Sequence, residues 1–308
     1  HPKDTKLCML YVRILSDKKK EYILPFRHSD TLNLNTQRID DLWTPKNVYT
    51  YDKKKLLHFF NWKNTHDVQM NYYLEKNEPL VIEDILTNAH EHFYRKYYGN
   101  SNINCVIPIM KHLEWCRKIV DILKTAGVIG KKETEPVYDI YNEDVLESLQ
   151  KIESNGLQTT DGMVYSEYNP YTATGRPSNR FGGLNFAALN KKDGSRKKFI
   201  SRYGKEGMLV EMDYDAYHLR LIGDVVDYKF PKGSVHKHMA KFYGVDYEEA
   251  KSLSFQYLYG GIPYEVSQLN PFFCKVEKYV DDVWKSYKSK NFIESDIYNK
   301  RIYRKNLS

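Results

Sequence analysis

The chain has 308 residues, of which 41% are hydrophobic, and this is enough apolar material for more than one folded core. Its 47 Lys and Arg residues exceed its 40 Asp and Glu residues, which gives a formal net charge of +7. This mild excess suits a polyanionic partner but also occurs in many other proteins. No apolar run approaches the length of a membrane span and no signal peptide opens the chain, so we expect neither a membrane partner nor secretion.

Tyrosine and cysteine usage adds two further expectations. The 27 tyrosines offer rings that stack on bases, although a codon bias that enriches Lys, Asn and Tyr together is the simpler explanation for most of them. The four cysteines form no C-x-x-C pair and have no His at zinc-site spacing: Cys8, Cys105, Cys116 and Cys274. We therefore expect reduced thiols in an intracellular compartment, without a structural metal or a disulfide framework.

The first third of the chain has the pattern of an α/β unit. Residues 7–15 and 21–25 alternate in strand fashion on either side of a charged turn, which predicts a β-hairpin. Between residues 53 and 123 apolar side chains recur near a period of 3.6, which predicts mostly helix. An α/β unit therefore fits residues 1 to about 105.

A break in this pattern follows at residues 127–136, where Gly, Lys and Glu cluster without periodicity. An amphipathic helix is predicted from about residue 143 to 154, ending before Asn155 and Gly156, and we place a domain boundary there. Residues 157–205 are rich in Gly, Asn, Thr, Ser and Arg. This composition is typical of loops and short strands, where a ligand can bind.

Residues 207–214 alternate like a strand that carries the carboxylate Asp213 near its end, just before a predicted helix over residues 216–226. A carboxylate held at the edge of a sheet can bind a hard cation. A single Asp at the end of a strand is more often a helix cap or a surface residue. The neighbouring segments are therefore needed to distinguish a cation ligand from a helix cap or a surface residue.

A helix with chemically specified ends is predicted from Asp246, a good N-cap, to the glycine pair at 260 and 261. Lys251, Phe255 and Tyr259 recur along it every four residues, so that one stripe carries a cation and two rings. An ammonium group suits a triphosphate, and an aromatic ring can stack on the attached base. From spacing alone, an ordinary amphipathic helix with an exposed Lys explains the same pattern.

Residues 168–180 form a turn-rich, cationic segment with hydroxyl and amide side chains. Such groups can bond to phosphates or to groove edges of a nucleic acid. From composition alone, this segment is as consistent with a solvated connector as with a loop that contacts nucleic acid.

These three segments, taken in chain order, resemble motifs of the family A (polymerase I-like) DNA polymerases of bacteria and phages. The loop Thr172-Ala-Thr-Gly-Arg-Pro-Ser178 resembles that family's T-x-T-G-R-L-S, and Gly183-Leu184-Asn185 looks like its P-N-L-Q-N. The segment Asp213-Tyr-Asp-Ala-Tyr-His-Leu-Arg220 is similar to motif A, D-Y-S-Q-I-E-L-R. The series Lys251, Phe255, Tyr259, Gly260 matches the fingers helix of motif B, and the resemblance covers about residues 140–305.

The resemblance implies an α/β (α+β) fold with four parts. These are a degenerate 3′–5′ exonuclease-like domain (1–105), a helical linker or reduced thumb (106–160), the first part of a right-hand polymerase palm (161–230), and helical fingers with the start of the return to the palm (231–308). Lys55 lies near the place where an exonuclease carboxylate is expected, so we expect no proofreading.

The activity that the resemblance implies is template-directed DNA synthesis, in which two Mg²⁺ ions assist nucleotidyl transfer from a dNTP to a primer 3′ end. Asp213 would be catalytic and would bind Mg²⁺ together with the carbonyl of Tyr214. The residues implied for the incoming nucleotide are Lys251, Phe255, Tyr259 and His218. Those implied for DNA contact are Arg176, Thr174, Asn185, Tyr259 and Gly260.

The sequence departs from the family in three places. It contains no H-D-E segment, which in the family supplies a second metal-binding carboxylate, so we expect a longer chain or a second polypeptide to supply the rest of the palm. Tyr247 stands where the fingers helix carries an Arg, which affects the grip on the triphosphate. His218 replaces the Glu of motif A, which affects selection of the sugar.

The alternative function is that of a catalytically inactive polymerase-fold module that binds DNA without performing chemistry. A purely structural scaffold would leave the capped helix and the loop at 172–178 unexplained. The expected partners are primer-template DNA and dNTPs. The expected location is the cytoplasm of a bacterium or of a virus-infected host, with an organelle as a further option.

Overall fold

A computed structural model describes residues 7–17, 20–29, 31–35, 39, 45–81, 109–125, 136–179, 184–190, 193–295 and 301–303. The chain divides into two compact units, His1–Met208 and Leu209–Ser308. The described residues combine helices with two-stranded sheets, which confirms an α/β composition in general. None of the helices in these ranges has the length and apolarity that crossing a bilayer requires.

The first unit contains eight short strands and five α-helices within its described residues. The strands are β1 (Met9–Arg13), β2 (Glu21–Pro25), β3 (Val48–Thr50), β4 (Thr65–Asp67), β5 (Leu157–Thr159), β6 (Gly162–Val164), β7 (Tyr168–Asn169) and β8 (Ser178–Asn179). The helices are α1 (Lys53–Leu57), α2 (Val68–Lys76), α3 (Ile109–Thr125), α4 (Pro136–Asp139) and α5 (Leu146–Asn155), with a π-helical segment (Ile140–Val145) between the last two.

The predicted N-terminal hairpin is confirmed. β1 pairs antiparallel with β2, with Met9 opposite Pro25 and Arg13 opposite Glu21. The amide of Ile14 donates to the carbonyl of Lys20 at 2.9 Å and extends the pairing toward the turn. The alternating sequence places Leu10 and Leu24 against a core that contains Phe60.

A parallel strand pair, β3 and β4, is connected through α1. Asp52 caps α1, because its carboxylate accepts a hydrogen bond from the amide of Lys55 at 2.9 Å. Asp67, the last residue of β4, caps α2 in the same way and accepts from the amide of Met70 at 2.6 Å. The short α/β arrangement expected in residues 1–105 is therefore present in the described part of that range.

The helix predicted from about residue 143 begins earlier, with α4 at Pro136, and continues through the π-helical segment into α5. Its end is as predicted: α5 stops at Asn155, and Gly156 follows with a φ of 56°. A Cβ at Gly156 would lie 2.6 Å from the carbonyl oxygen of Val164, so only glycine fits at this turn.

The second unit is mainly helical in its described residues. Its helices are α6 (Tyr217–Val225), α7 (Val235–Tyr243), α8 (Tyr247–Gly260), α9 (Tyr264–Leu269) and α10 (Pro271–Lys290), and its strands are β9 (Phe292–Glu294) and β10 (Arg301–Tyr303). β9 and β10 form an antiparallel hairpin. Apolar faces of the helices meet in one core, whose buried members are Leu219, Val235, Met239, Phe272, Phe273 and Val276.

The strand predicted over residues 207–214 is not formed, and this prediction was wrong. The segment pairs with no strand of the described residues, and its side chains are exposed, as shown by Met212 at 88%. Alternation makes a segment suitable for a sheet, but a strand exists only when a neighbour accepts and donates its backbone hydrogen bonds. The helix predicted directly after it is present as α6.

Candidate functional site

The best-defined element of the second unit is α8, whose ends are fixed as the sequence predicts. The carboxylate of Asp246 accepts a hydrogen bond from the amide of Glu249 at 2.9 Å and thereby satisfies one of the free donors of the first turn. Glu248 and Glu249, in the first turn, add further negative charge at the positive end of the helix dipole. At the other end Gly261 has a φ of 106°, which glycine adopts without strain.

Two faces of α8 have different environments. Ala250 and Ser254 are buried against the helical core, and the hydroxyl of Ser254 donates to the carbonyl of Ala250. Lys251 and Tyr259 lie on the opposite side and are exposed, Tyr259 by 69%. The predicted stripe of one cation and two rings is therefore present on the accessible face of the helix.

The rings on this face form an aromatic corner, which we define as His218, Phe255 and Tyr259. Phe255 and Tyr259 are nearly parallel, with an interplanar angle of 5° and ring centroids 6.2 Å apart. His218, from α6, stands edge-on to both, at 5.7 Å from Phe255 and 6.1 Å from Tyr259. The Tyr259 hydroxyl and the Nδ1 of His218 are 3.0 Å apart and share a hydrogen bond, which fixes the open end of the corner.

A second histidine lies behind the corner. His236, on α7, is 3% exposed, and its ring packs against Phe255 at 6.3 Å and edge-on against Tyr247 at 5.7 Å. Its Nδ1 has no hydrogen-bond partner among the described residues. Burial lowers the pKa of His236, and the positive charge of Lys251 lowers it further, so the ring is biased toward its neutral form.

The loop that precedes α6 is held by Arg220. Its guanidinium binds the side chain of Asp215 at 3.0 Å and the carbonyl of Gly233 at 2.9 Å. Ala216 has a φ of 49°, which is unusual for a residue with a Cβ and which turns the chain into the helix. These contacts give a defined conformation to the end of the motif that begins at Asp213.

Asp213 and Tyr214 are both exposed, and the ring of Tyr214 lies 5.6 Å from that of Tyr217. Two Mg²⁺ ions require several oxygen ligands, usually including more than one carboxylate. In the ranges that the structure describes, no three His, Cys, Asp or Glu side chains are grouped to share an ion. Asp213 and the Tyr214 carbonyl supply two oxygen ligands, so a two-ion centre would need further ligands beyond these two.

The cationic loop at residues 172–178 lies in the first unit and connects β7 to β8. The amide of Gly175 donates to the carbonyl of Thr172 at 3.0 Å, and the Thr172 hydroxyl donates to the carbonyl of Arg176 at 2.8 Å. The turn is thus closed by its own hydrogen bonds, and it leaves Thr174 and Arg176 exposed. Such a turn is able to present a hydroxyl and a guanidinium to a polyanion.

Two further predicted contact residues are also accessible. Asn185, in the first unit, is exposed, and its carbonyl accepts from the amide of Ala188 at the start of a short 3₁₀ turn. Gly260, in the second unit, is the last residue of α8, and a Cβ there would lie 4.0 Å from the side chain of Gln256, an ordinary van der Waals contact.

A buried ion network holds the base of the β7–β8 hairpin. The carboxylate of Glu153 is inaccessible to solvent and contacts the ammonium of Lys54 at 2.5 Å and the Nε2 of His58 at 2.8 Å. It also accepts from the amide of Tyr168, the first residue of β7, at 2.7 Å. Burial alone would raise the pKa of Glu153, but the His58 bond and the Lys54 charge outweigh burial and lower it.

Sequence reasoning did not single out the packing of His236 and Tyr247 beside the aromatic corner. In the sequence, Tyr247 stands out only because the resembled motif has an Arg there, whereas in the structure its ring packs on His236 and shields one side of it. The available signal was the pair Val235-His236, which resembles an I-H element of the family. Whether His236 packs beside the aromatic corner depends on how α7 and α8 cross, and a local sequence pattern does not predict that crossing.

We compared the chain with known proteins. No model of a protein family matches it, and no curated protein is similar to it at a significant level.

Proposed function

We propose that this chain is the nucleotide-handling part of a template-directed DNA polymerase, which transfers nucleotides from dNTPs to a primer 3′ end. It would act as part of a longer or split enzyme, with another chain segment or a second polypeptide supplying the second metal-binding carboxylate. Primer-template DNA and dNTPs are its proposed ligands, and Mg²⁺ is its proposed cofactor.

The observation that carries this proposal is the arrangement of Lys251 and the aromatic corner on one accessible face. A parallel pair of rings, Phe255 and Tyr259, offers flat surfaces for a base, and one turn earlier on α8 an ammonium group is available for phosphates. His218 closes the corner where the sugar of the same nucleotide would lie. One helix face thereby offers a group for each part of a nucleotide.

The charges on this face support the same interpretation. Lys251 makes no ion pair with the residues that the structure describes, so its charge is available to a ligand. The Nδ1 of His236 has no hydrogen-bond partner in the described part of the chain, and burial together with the Lys251 charge lowers the pKa of that ring. A polyanion placed beside Lys251 would neutralise this charge and stabilise the imidazolium form of His236.

The loop at residues 172–178 provides separate support for a DNA ligand. Arg176 is exposed at the tip of a hydrogen-bonded turn, next to the exposed hydroxyl of Thr174. These groups suit contacts with the sugar-phosphate backbone or the minor groove. A role in nucleotide binding alone would not require them.

One observation favours the alternative function, a polymerase-fold module that binds DNA without catalysis. Asp213 is exposed on a segment that pairs with no described strand, whereas a catalytic carboxylate must be held rigidly. The alternative shares the nucleotide-binding face and the DNA-contact loop with the first proposal. It differs from the first proposal only in that the module does not catalyse nucleotidyl transfer.

The first experiment measures binding of a fluorescent dNTP to the chain and to two variants, Lys251→Ala and Lys241→Ala. Lys241 is an exposed lysine on α7, away from the stripe, and serves as the matched control. Because a charged hydrogen bond contributes about 1.5–3 kcal/mol, Lys251→Ala should weaken binding by about ten-fold or more. If the two variants bound the dNTP with equal affinity, the proposal that Lys251 is part of a nucleotide site would be wrong.

The second experiment separates the enzyme from the inactive module. Primer extension is measured with Mg²⁺ and dNTPs for the chain and its Asp213→Asn variant, each with and without a polypeptide that carries the family's C-terminal palm. Extension in that mixture that is lost in Asp213→Asn supports the polymerase. Binding of primer-template without extension in any mixture supports the module.

A further inference from the structure

The turn that carries Thr174 and Arg176 is attached to a distant part of the first unit by a buried tyrosine. Tyr73, on α2, is 0% exposed, and its hydroxyl donates to the carbonyl of Thr172 at 2.6 Å. Thr172 is the first residue of the turn, and its carbonyl also accepts from the amide of Gly175. The hydrogen bond that closes the turn and the bond from Tyr73 therefore share one oxygen atom.

The neighbouring residue strengthens this attachment. Tyr171 is buried, its ring stands edge-on to that of Tyr73 at 5.9 Å, and its hydroxyl lies 3.2 Å from the carboxylate of Asp67. Asp67 is buried as well and accepts from the amides of Lys53 and Met70, both at 2.6 Å. The chain is thus fixed just before the turn by groups that belong to the starts of α1 and α2.

The far side of the turn is held by β8, which pairs with β7 and whose Asn179 donates to the hydroxyl of Ser166 and to the carbonyl of Leu184. Between the two sides, Thr174 and Arg176 are exposed. On the near side, the conformation of residues 172–176 depends on the contacts with Tyr73 and Tyr171. Any buried tyrosine needs an acceptor for its hydroxyl, but here the acceptor is the atom on which the turn closes.

We propose that Tyr73 is a positioning residue, which holds the turn at 172–176 in the shape that presents Thr174 and Arg176 to a nucleic acid. The inference rests on the proposed function for the identity of that ligand. It also assigns a role to the α/β part of the first unit, in which we expect no exonuclease activity. That part acts as the support of a DNA-contact turn.

The test compares Tyr73→Phe with Tyr138→Phe. Both substitutions remove one hydroxyl from the same buried cluster, but Tyr138 contacts the backbone of Asp67 and not Thr172. Phe keeps the ring and its packing, and the Thr172 carbonyl keeps its bond from Gly175, so Tyr73→Phe should still fold. Affinity for a labelled primer-template and hydrogen exchange at the Gly175 amide are measured for each protein.

Tyr73→Phe should weaken primer-template binding about three- to ten-fold and should speed exchange of the Gly175 amide by a similar factor, since one hydrogen bond is lost. Tyr138→Phe should change neither quantity. The double variant Tyr73→Phe/Arg176→Ala should lose less affinity than the sum of the two single losses, because the Tyr73 hydroxyl acts partly through the position of Arg176. A purely structural role of Tyr73 would give additive losses.

The remaining outcomes separate this inference from the proposed function. If Arg176→Ala weakens DNA binding but Tyr73→Phe changes neither affinity nor exchange, Tyr73 is not a positioning residue and the DNA-binding proposal stands. If no protein binds primer-template, the proposed function fails. In that case, unchanged hydrogen exchange at the Gly175 amide in Tyr73→Phe overturns the positioning role as well. Faster exchange at that amide means that Tyr73 positions the turn for a ligand other than DNA.

Discussion

His218 is one of the positions at which the sequence departs from the polymerase pattern on which the proposed function rests. Its Nδ1 shares a hydrogen bond with the Tyr259 hydroxyl, while its ring contacts Phe255. An imidazole is larger than a carboxylate and can donate as well as accept. Selection of the sugar at this position would therefore depend on ring volume and on the His218–Tyr259 bond together.

We predict that His218→Ala reduces the preference for dNTP over the matching rNTP about ten-fold, because the variant opens space where a 2′ hydroxyl would be excluded. The ratio of the two dissociation constants measures this preference. His238→Ala, on α7, is the control, since that ring contacts Phe230 and lies outside the aromatic corner. An unchanged ratio in His218→Ala would show that this ring does not face the sugar.

At the scale of elements, α8 shows how local chemistry specifies a functional surface. Its N-cap, the acidic residues of its first turn and its C-terminal glycine lie within the helix or one residue from it. Each stabilises the helix without help from distant residues, which is why the sequence predicts the helix and its exposed stripe. The N-terminal hairpin is predictable for the same reason, since its two strands are neighbours in sequence.

The N-cap gives a prediction about stability. Asp246→Ala should lower the free energy of unfolding by about 1 kcal/mol, because the amide of Glu249 loses its acceptor. Denaturation followed by helical circular dichroism measures the change. Asp281→Ala, at an exposed position inside α10, should change stability little. Equal losses in the two variants would mean that the cap does not stabilise α8.

Other features of the site were not predictable because they depend on contacts between distant residues. Residues 207–214 alternate correctly, but strand formation requires a partner that the pattern does not name. The packing of His236 on Phe255 depends on how α7 and α8 cross. The bond from Tyr73 to Thr172 spans 99 positions, and the buried carboxylate of Asp67 looks like a surface residue in the sequence.

At the scale of the whole molecule, the first unit is held together by buried charges as well as by apolar cores. Glu153, on α5, contacts Lys54 of α1, 99 positions away, and the backbone of β7, so one carboxylate joins three segments. Burying such a network is favourable only when each charge has a partner. The composition of the chain does not reveal this, because Lys and Glu are usually exposed.

This network predicts how stability depends on pH. The pKa of Glu153 is lower in the folded state, so its contribution is present above the unfolded value, near 4.5, and is lost as pH falls through the folded value. Glu153→Gln should lower the free energy of unfolding at pH 7 by about 3 kcal/mol, because Lys54 stays buried without a countercharge. The variant should also lose less stability than the wild type on acidification.

Asp161→Asn is the matched control for this measurement. Its carboxylate lies 3.1 Å from the ammonium of Lys198, but both side chains are largely exposed, so the loss should be below about 1 kcal/mol. Urea denaturation at pH 7 and at pH 4 provides both comparisons. Similar losses in the two variants at pH 7 would contradict the importance that we assign to Glu153.

Residues 208–214, which form no strand pair within the part of the chain that the structure describes, should also affect how the protein behaves at high concentration. Exposed, alternating apolar side chains without a sheet partner are what self-assembling β-segments share. Glu211 and Asp213 interrupt this series with negative charge and act as gatekeepers against stacking between molecules. Neutralising Asp213 would therefore make the chain more prone to aggregate, independently of any effect on metal binding.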